Sequence, residues 1–198
     1  IGYMGRLGAE KRVADLAHVA DLPGSQLVVI GDGPQGDELR ALLPNAIFVG
    51  QKTGDDLPRH VASLDLFIHT GELDTFGPTI QEAQASGLPV IAPGQGGPID
   101  LIDSSRTGWL YPPGDMDALR RHTLDLVGDT AKREAFGRAS RAAVATEPLC
   151  FRQAGQFNQR RRRPPSSHLE ALLFEQVTDD RPPTPFSSTR ATHRFRIR

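Results

Sequence analysis

Short apolar runs recur along this chain at intervals too regular for chance. Ile1–Met4, Gln26–Ile30, Ala46–Val49, Leu64–Ile68, Val90–Ala92 and Gly108–Leu110 read as six strands. They are near-continuously hydrophobic, as strands buried on both faces are. Between them the period lengthens to that of helices. Val13, Leu16, Ala17 and Ala20 place one face of a helix at about residues 10–20. Further helices are expected at 36–43, 55–63, from Phe76-Gly77 to Gly87, 98–103, 116–127 and 131–145. In the helix at 116–127, Leu119, Leu124 and Val127 are expected to face inward, with Asp115 as its cap. Strands alternating with helices imply an α/β fold, a Rossmann-like, doubly wound parallel sheet.

Composition divides the chain. Residues 1–146 carry 13 Lys and Arg against 19 Asp and Glu, a net charge of −6. Residues 147–198 carry 10 Arg, no Lys and 5 Asp and Glu, a net of +5. The first part is read as the folded domain. The second holds Arg160–Arg163, Pro164-Pro165 and Pro182-Pro183, with helical character only at Leu169–Val177. It reads as a disordered tail, or as a non-native one translated out of frame. An arginine run also suits nucleic acid or an anionic surface, but the overall charge of −1 gives no general attraction to either, and no nucleic-acid partner is expected. The one cysteine, Cys150, forms neither an internal disulfide nor a zinc site. No apolar run approaches the roughly 20 residues that span a bilayer.

The chemistry concentrates between His69 and Ala92. An apolar strand ends at His69, a polar loop runs from Thr70 to Thr75, and a helix follows. Asp74 lies at the helix mouth and Glu82 stands beyond seven intervening residues. At about 1.5 Å per residue, Glu82 lies two turns deeper. A helix start offers free N–H groups and a positive dipole end, a seat for an anion. Pro78 lacks an N–H, so Gly77, Thr79 and Ile80 are the expected donors, with Phe76 beside them. The arrangement suits a ligand with phosphates in its middle and hydroxyls at its ends, such as a sugar nucleotide.

The segment Asp74-TFGPTIQ-Glu82-AQASGLP-Val90 resembles the signature E-x-F-G-x-x-x-x-E-A-x-A-x-G-x-P-V. That signature marks the retaining glycosyltransferases of family 4, which have two Rossmann-like domains in the GT-B architecture. Upstream, Gly5-RLGAE-Lys11 is similar to the family's G-R-L-x-x-E-K. The resemblance covers about residues 1–145 and implies the C-terminal, donor-binding domain, with the family's acceptor-binding N-terminal domain absent. It implies that Arg6 and Lys11 hold the donor diphosphate and meet the charge of the departing phosphate. By themselves, two cations at a helix start read as solvated charges; beside the Asp74–Glu82 segment the diphosphate reading takes precedence. By the same resemblance Glu82 bonds the ribose hydroxyls, Asp74 lies at the transferred sugar, and the turn at Gly50 frames the base, with Lys52 in reach of it. Asp74 stands where the family has Glu. Its carboxylate sits about 1.5 Å back, a displacement that can cost ~10²-fold in rate. Glu72 is the acid nearby for compensation, and His69 either meets the sugar or caps the strand.

His69-Thr70-Gly71 and Gly96-Gly97-Pro98 with Asp100-Leu101 look like the bacterial GDP-mannose-dependent α-mannosyltransferases. The implied activity is hexose transfer, mannose from GDP-mannose, to a lipid or glycan acceptor. It proceeds with retention, without a covalent enzyme nucleophile and without a metal or other cofactor. The implied setting is cytoplasmic, with peripheral association of the full enzyme at the inner face of the membrane. The isolated chain is expected to bind nucleotide weakly and to transfer nothing. Gly31-DGPQ-Gly36 supports an alternative, since it is formally the dinucleotide fingerprint G-x-G-x-x-G of an NAD-binding oxidoreductase. It is discounted because Pro34 falls in the turn, the strand is the second, and Gln51 and Lys52 stand where an acid is expected. A nucleotide-binding module without activity is the third reading.

Overall fold

A computed structural model describes residues 1–146. The expectations for residues 147–198 lie outside the described residues. The six strands form one parallel sheet: β1 (Gly2–Met4), β2 (Val28–Ile30), β3 (Ile47–Gly50), β4 (Phe67–Ile68), β5 (Val90–Pro93) and β6 (Gly108–Tyr111). Their spatial order is β3-β2-β1-β4-β5-β6. The chain winds outward from β1 in one direction and from β4 in the other. The carboxyl ends of β1 and β4 therefore flank the switch point, where open α/β sheets carry their ligand crevice.

Successive residues along each strand feed opposite faces of the sheet. Tyr3, Val29, Ile68 and Ile91 pack on one side with Leu16, Leu119 and Leu126. Met4, Ile30, Phe67 and Val90 pack on the other with Ile80, Ala83 and Leu101. Both faces are covered, which is why the strands read as unbroken apolar runs. The helices are α1 (Gly36–Leu42), α2 (Asp56–Ala62), α3 (Pro78–Ala85), α4 (Pro98–Leu101), α5 (Met116–Gly128) and α6 (Thr130–Thr146). Asp115 caps α5 as expected, accepting the Ala118 N–H at 2.8 Å.

Two expectations need correction. The helix at 10–20 is instead a pair of 3-10 segments, Ala9–Lys11 and Val13–His18, split at Arg12 with φ 49° and ψ 38°. The Lys11 carbonyl, which a continuous helix would use internally, accepts the Thr70 hydroxyl at 2.6 Å. Arg12 adopts this left-handed conformation at an intrinsic cost of about 1–2 kcal/mol, and its side chain pairs with Asp15 and Glu72. Val13 and Leu16 are buried all the same. In α5, Leu124 is exposed, and Leu119, Thr123 and Leu126 form the inner face. Thr123 is accommodated because its hydroxyl donates to the Leu119 carbonyl at 2.8 Å.

Candidate functional site

The loop after β4 and the loop after β1 meet at the switch point. His69 continues β4, its N–H donating to the Ile91 carbonyl at 2.9 Å. The chain then turns through Asp74 into α3. The turn depends on Gly77, which sits at φ 51°, and a Cβ there would lie 2.6 Å from Leu101 Cδ1. The Gly77 N–H donates to Asp74 Oδ1 at 3.2 Å. Helix α3 starts at Pro78, one residue after the expected Phe76-Gly77. The Gly96-Gly97 pair ahead of α4 is a packing device. The Gly97 N–H donates to the Asp74 carbonyl at 2.8 Å, and a Cβ on Gly97 would lie 2.8 Å from the Thr75 carbonyl oxygen.

Lys11 and Asp74, 63 residues apart, are joined by a 2.9 Å ion pair between Nζ and Oδ2. The Asp74 side chain is 13% exposed and that of Lys11 30%. Burial works to raise the Asp74 carboxyl, but the Lys11 hydrogen bond, the Gly77 N–H and the charges of Lys11 and His69 outweigh it and hold it below its ordinary value. His69 Nε2 lies 3.7 Å from Asp74 Oδ2. Burial pushes the His69 ring down, Asp74 opposing, Lys11 assisting and a hydrogen bond to the Gly71 backbone opposing. Glu82 projects half-buried from α3, and burial alone pushes its carboxyl up. Among the described residues, no ion pair or side-chain hydrogen bond reaches the Glu82 carboxylate.

The remaining candidates are distributed around this pair. Arg6 is exposed, its guanidinium 3.7 Å from Glu10. Gly50 ends β3 at φ 72° with open space where a side chain would stand. Lys52 is half-buried beside it, and Phe76 is exposed. Of the three N–H donors expected at the start of α3, two are engaged: Gly77 on Asp74, and Ile80 on the Gly77 carbonyl at 3.0 Å. Thr79 is the third, and the Ile80 side chain belongs to the core. Glu72, considered as compensation for the short Asp74, instead pairs with Arg12 Nη1 at 2.9 Å. The clamp formed by Arg12, Glu72 and Thr70 was invisible in the sequence, because its halves are some 60 positions apart and follow no pattern.

The glycine-rich turn at 31–36 is closed to an anion. The Gly31 N–H donates to the Gly50 carbonyl, Gly33 to Asp32 Oδ1, Gln35 to the Leu7 carbonyl and Gly36 to the Gly33 carbonyl. A phosphate seat needs such groups directed at the ligand. The glycines serve a close approach instead: a Cβ on Gly31 would stand 1.9 Å from the Gly5 carbonyl oxygen, and one on Gly33 2.5 Å from that of Leu7. Gly31→Ala is expected to destabilise the domain by more than about 3 kcal/mol, checked by urea unfolding. Retention of wild-type stability would show that the loop at 5–7 gives way freely. Among the described residues, no group of three His, Cys, Asp or Glu side chains gathers as a metal site. None of their helices is long and apolar enough to cross a membrane.

A doubly wound sheet with an ion pair and a helix mouth at its switch point, and an unpaired acid on that helix, defines a Rossmann-like domain whose crevice is polar and charged. The chain belongs to the glycosyl transferases group 1 family, whose model matches residues 1–143. It is 50% identical over 116 residues to the GDP-mannose-dependent alpha-mannosyltransferase of Corynebacterium glutamicum, a match covering 59% of this chain and 28% of that protein. The Mycobacterium tuberculosis protein of the same name is 42% identical over 146 residues, covering 73% and 38%. The chain thus spans about a third of the length of these relatives. Among solved structures, Anabaena HepE in complex with UDP superposes with a TM-score of 0.66 at 27% identity, over 72% of this chain and 43% of that one. The C-terminal domain of the group 1 glycosyl transferase LpcC from Francisella tularensis shares the fold, with a TM-score of 0.66 at 22% identity, over 74% and 85%. These neighbours are GT-B glycosyltransferases, and the fold expected from the sequence is the one found.

Proposed function

We propose that this chain is the donor-binding part of a retaining hexosyltransferase that uses GDP-mannose and acts on a lipid or glycan acceptor. The observation that carries the reading is the ion pair of Lys11 with Asp74 at the mouth of α3, at the switch point of the sheet, with Glu82 further along the same helix. Glu82 is a half-buried carboxylate with no partner of its own, suited to paired ribose hydroxyls. Lys11 reaches the helix mouth, where it and Arg6 meet the diphosphate and the charge that grows on the leaving phosphate. The positive end of α3 and the Thr79 N–H assist. Asp74 is placed at the transferred sugar. Gly50, with nothing above it, lets a base lie against the backbone near Lys52, with Phe76 at the rim. The acceptor oxygen attacks from the face the phosphate leaves, its proton passes to the departing phosphate oxygen, and no enzyme nucleophile intervenes. Cationic side chains rather than a metal serve the diphosphate. The choice of GDP and mannose is supported by the names of relatives 50% and 42% identical to this chain. The cytoplasm, with peripheral contact at the inner membrane face, is the setting that goes with it.

The matched region is 28–38% of those relatives. The 198-residue chain alone is accordingly expected to bind nucleotide weakly and to transfer no sugar. Parallel calorimetric titrations of the full chain with GDP, UDP and NAD test the reading. Binding of GDP in preference to UDP, with NAD silent, supports it. NAD binding with GDP silent overturns it in favour of an oxidoreductase.

A further inference from the structure

His69 is the polar side chain at this site that the reading above leaves unused. It is 2% exposed, and Nε2 has no hydrogen-bond partner among the described residues. A buried polar atom left unpaired in a folded protein calls for an explanation, and the ring's contact with the Gly71 backbone leaves Nε2 without a partner. Its surroundings are those of a half-built site. Nε2 stands 3.7 Å from Asp74 Oδ2. A Cβ built on Gly71 would lie 3.2 Å from Nε2 and 3.5 Å from Lys11 Cδ, so the missing side chain at 71 keeps a small space open between histidine and lysine.

Asp74, by contrast, is already engaged. Oδ1 accepts the Gly77 N–H and Oδ2 accepts Lys11 Nζ. We propose that His69 Nε2 is a sugar-binding group, sharing one hydroxyl of the transferred hexose with Asp74 Oδ2, while Asp74 mainly holds Lys11 and the mouth of α3 in place. An oxygen about 2.8 Å from each of two atoms fits a gap of this width. A hydroxyl both donates and accepts, so it meets a neutral imidazole in either tautomer. The inference rests on the donor-binding reading and assigns the contact that reads the sugar rather than the nucleotide.

The test separates those two parts of the ligand. Full-length wild type, His69→Leu, His69→Gln and Gly71→Ala are titrated with GDP and with GDP-mannose. The leucine variant is expected to lose about tenfold in affinity for GDP-mannose, with GDP affinity held within about twofold. Glutamine, which keeps a donor and an acceptor, is expected to recover part of the loss. Gly71→Ala keeps the histidine and narrows the space, so it is expected to reproduce the leucine result. It decides the matter if the leucine variant fails to fold. Equal loss for both ligands, or no loss for either, in these variants overturns the proposal. Wild type that binds neither ligand overturns the donor-binding reading itself and this inference with it.

Discussion

Glu82→Gln is expected to weaken GDP binding about 100-fold while leaving the fold at least as stable as wild type. A carboxylate bridging two ribose hydroxyls makes two charge-assisted hydrogen bonds, each worth about 1.5–3 kcal/mol. An amide keeps one acceptor, loses the charge and turns a donor toward hydroxyls. At about 1.4 kcal/mol per decade, two decades is the expected scale. Stability moves the other way. Burial raises the Glu82 carboxyl above its ordinary 4.5. The folded state therefore holds that proton more tightly than the unfolded one. Stability falls as pH rises from the unfolded value through the folded one, and the penalty is complete above it. Glutamine removes the penalty at neutral pH and changes little below 4.5. The same titration weakens GDP binding as pH falls through the raised value, because a protonated Glu82 no longer accepts from both hydroxyls. Thermal unfolding at two pH values beside calorimetry reads both effects. A variant that loses stability and keeps GDP affinity would mark Glu82 as structural.

Lys11→Ala is expected to abolish measurable GDP binding and to cost about 1–2 kcal/mol of stability. Removing one partner of a fully buried ion pair costs about 3–5 kcal/mol. The Lys11 side chain keeps 30% of its exposure, so solvent screens part of that. The Asp74 carboxyl is held down chiefly by Lys11 and Gly77 against its own desolvation. Its stabilising contribution is present above the ordinary 3.8 and is lost as pH falls through the lower folded value. In Lys11→Ala that contribution shrinks and acid unfolding begins at higher pH. Adding Asp74→Asn to Lys11→Ala is expected to restore most of the stability, since the amide oxygen still accepts the Gly77 N–H and no charge is left unpaired. It is not expected to restore GDP affinity. If it did, the lysine would act only by neutralising Asp74, and its assignment to the diphosphate would fall.

The sheet was legible because both of its faces are buried. Tyr3 and Met4, or Phe67 and Ile68, feed opposite layers, so every residue of a strand is apolar and the run is plain. The acids Asp74 and Glu82 were legible because a loop and a helix start fix their spacing locally. Features that depend on contacts distant in sequence were not. The apolar period at Val13 and Leu16 marks burial but not a continuous helix, since Thr70 captures the Lys11 carbonyl. Leu124 is apolar yet exposed, because Thr123 takes the inner face by satisfying its own hydroxyl. Gly31-DGPQ-Gly36 has the spacing of a phosphate loop, yet its glycines seat the loop at Gly5–Leu7. The same residue type answers to a ligand in one setting and to a neighbouring carbonyl in another, and only the packing distinguishes them.

The central claim is where the nucleotide lies. Crystals of the full chain grown with GDP measure that directly. The account predicts the diphosphate at the start of α3 beside Lys11, the ribose on Glu82 and the base over Gly50. Nucleotide seated on Gly31–Gly36, with Lys11 and Glu82 untouched, would contradict it.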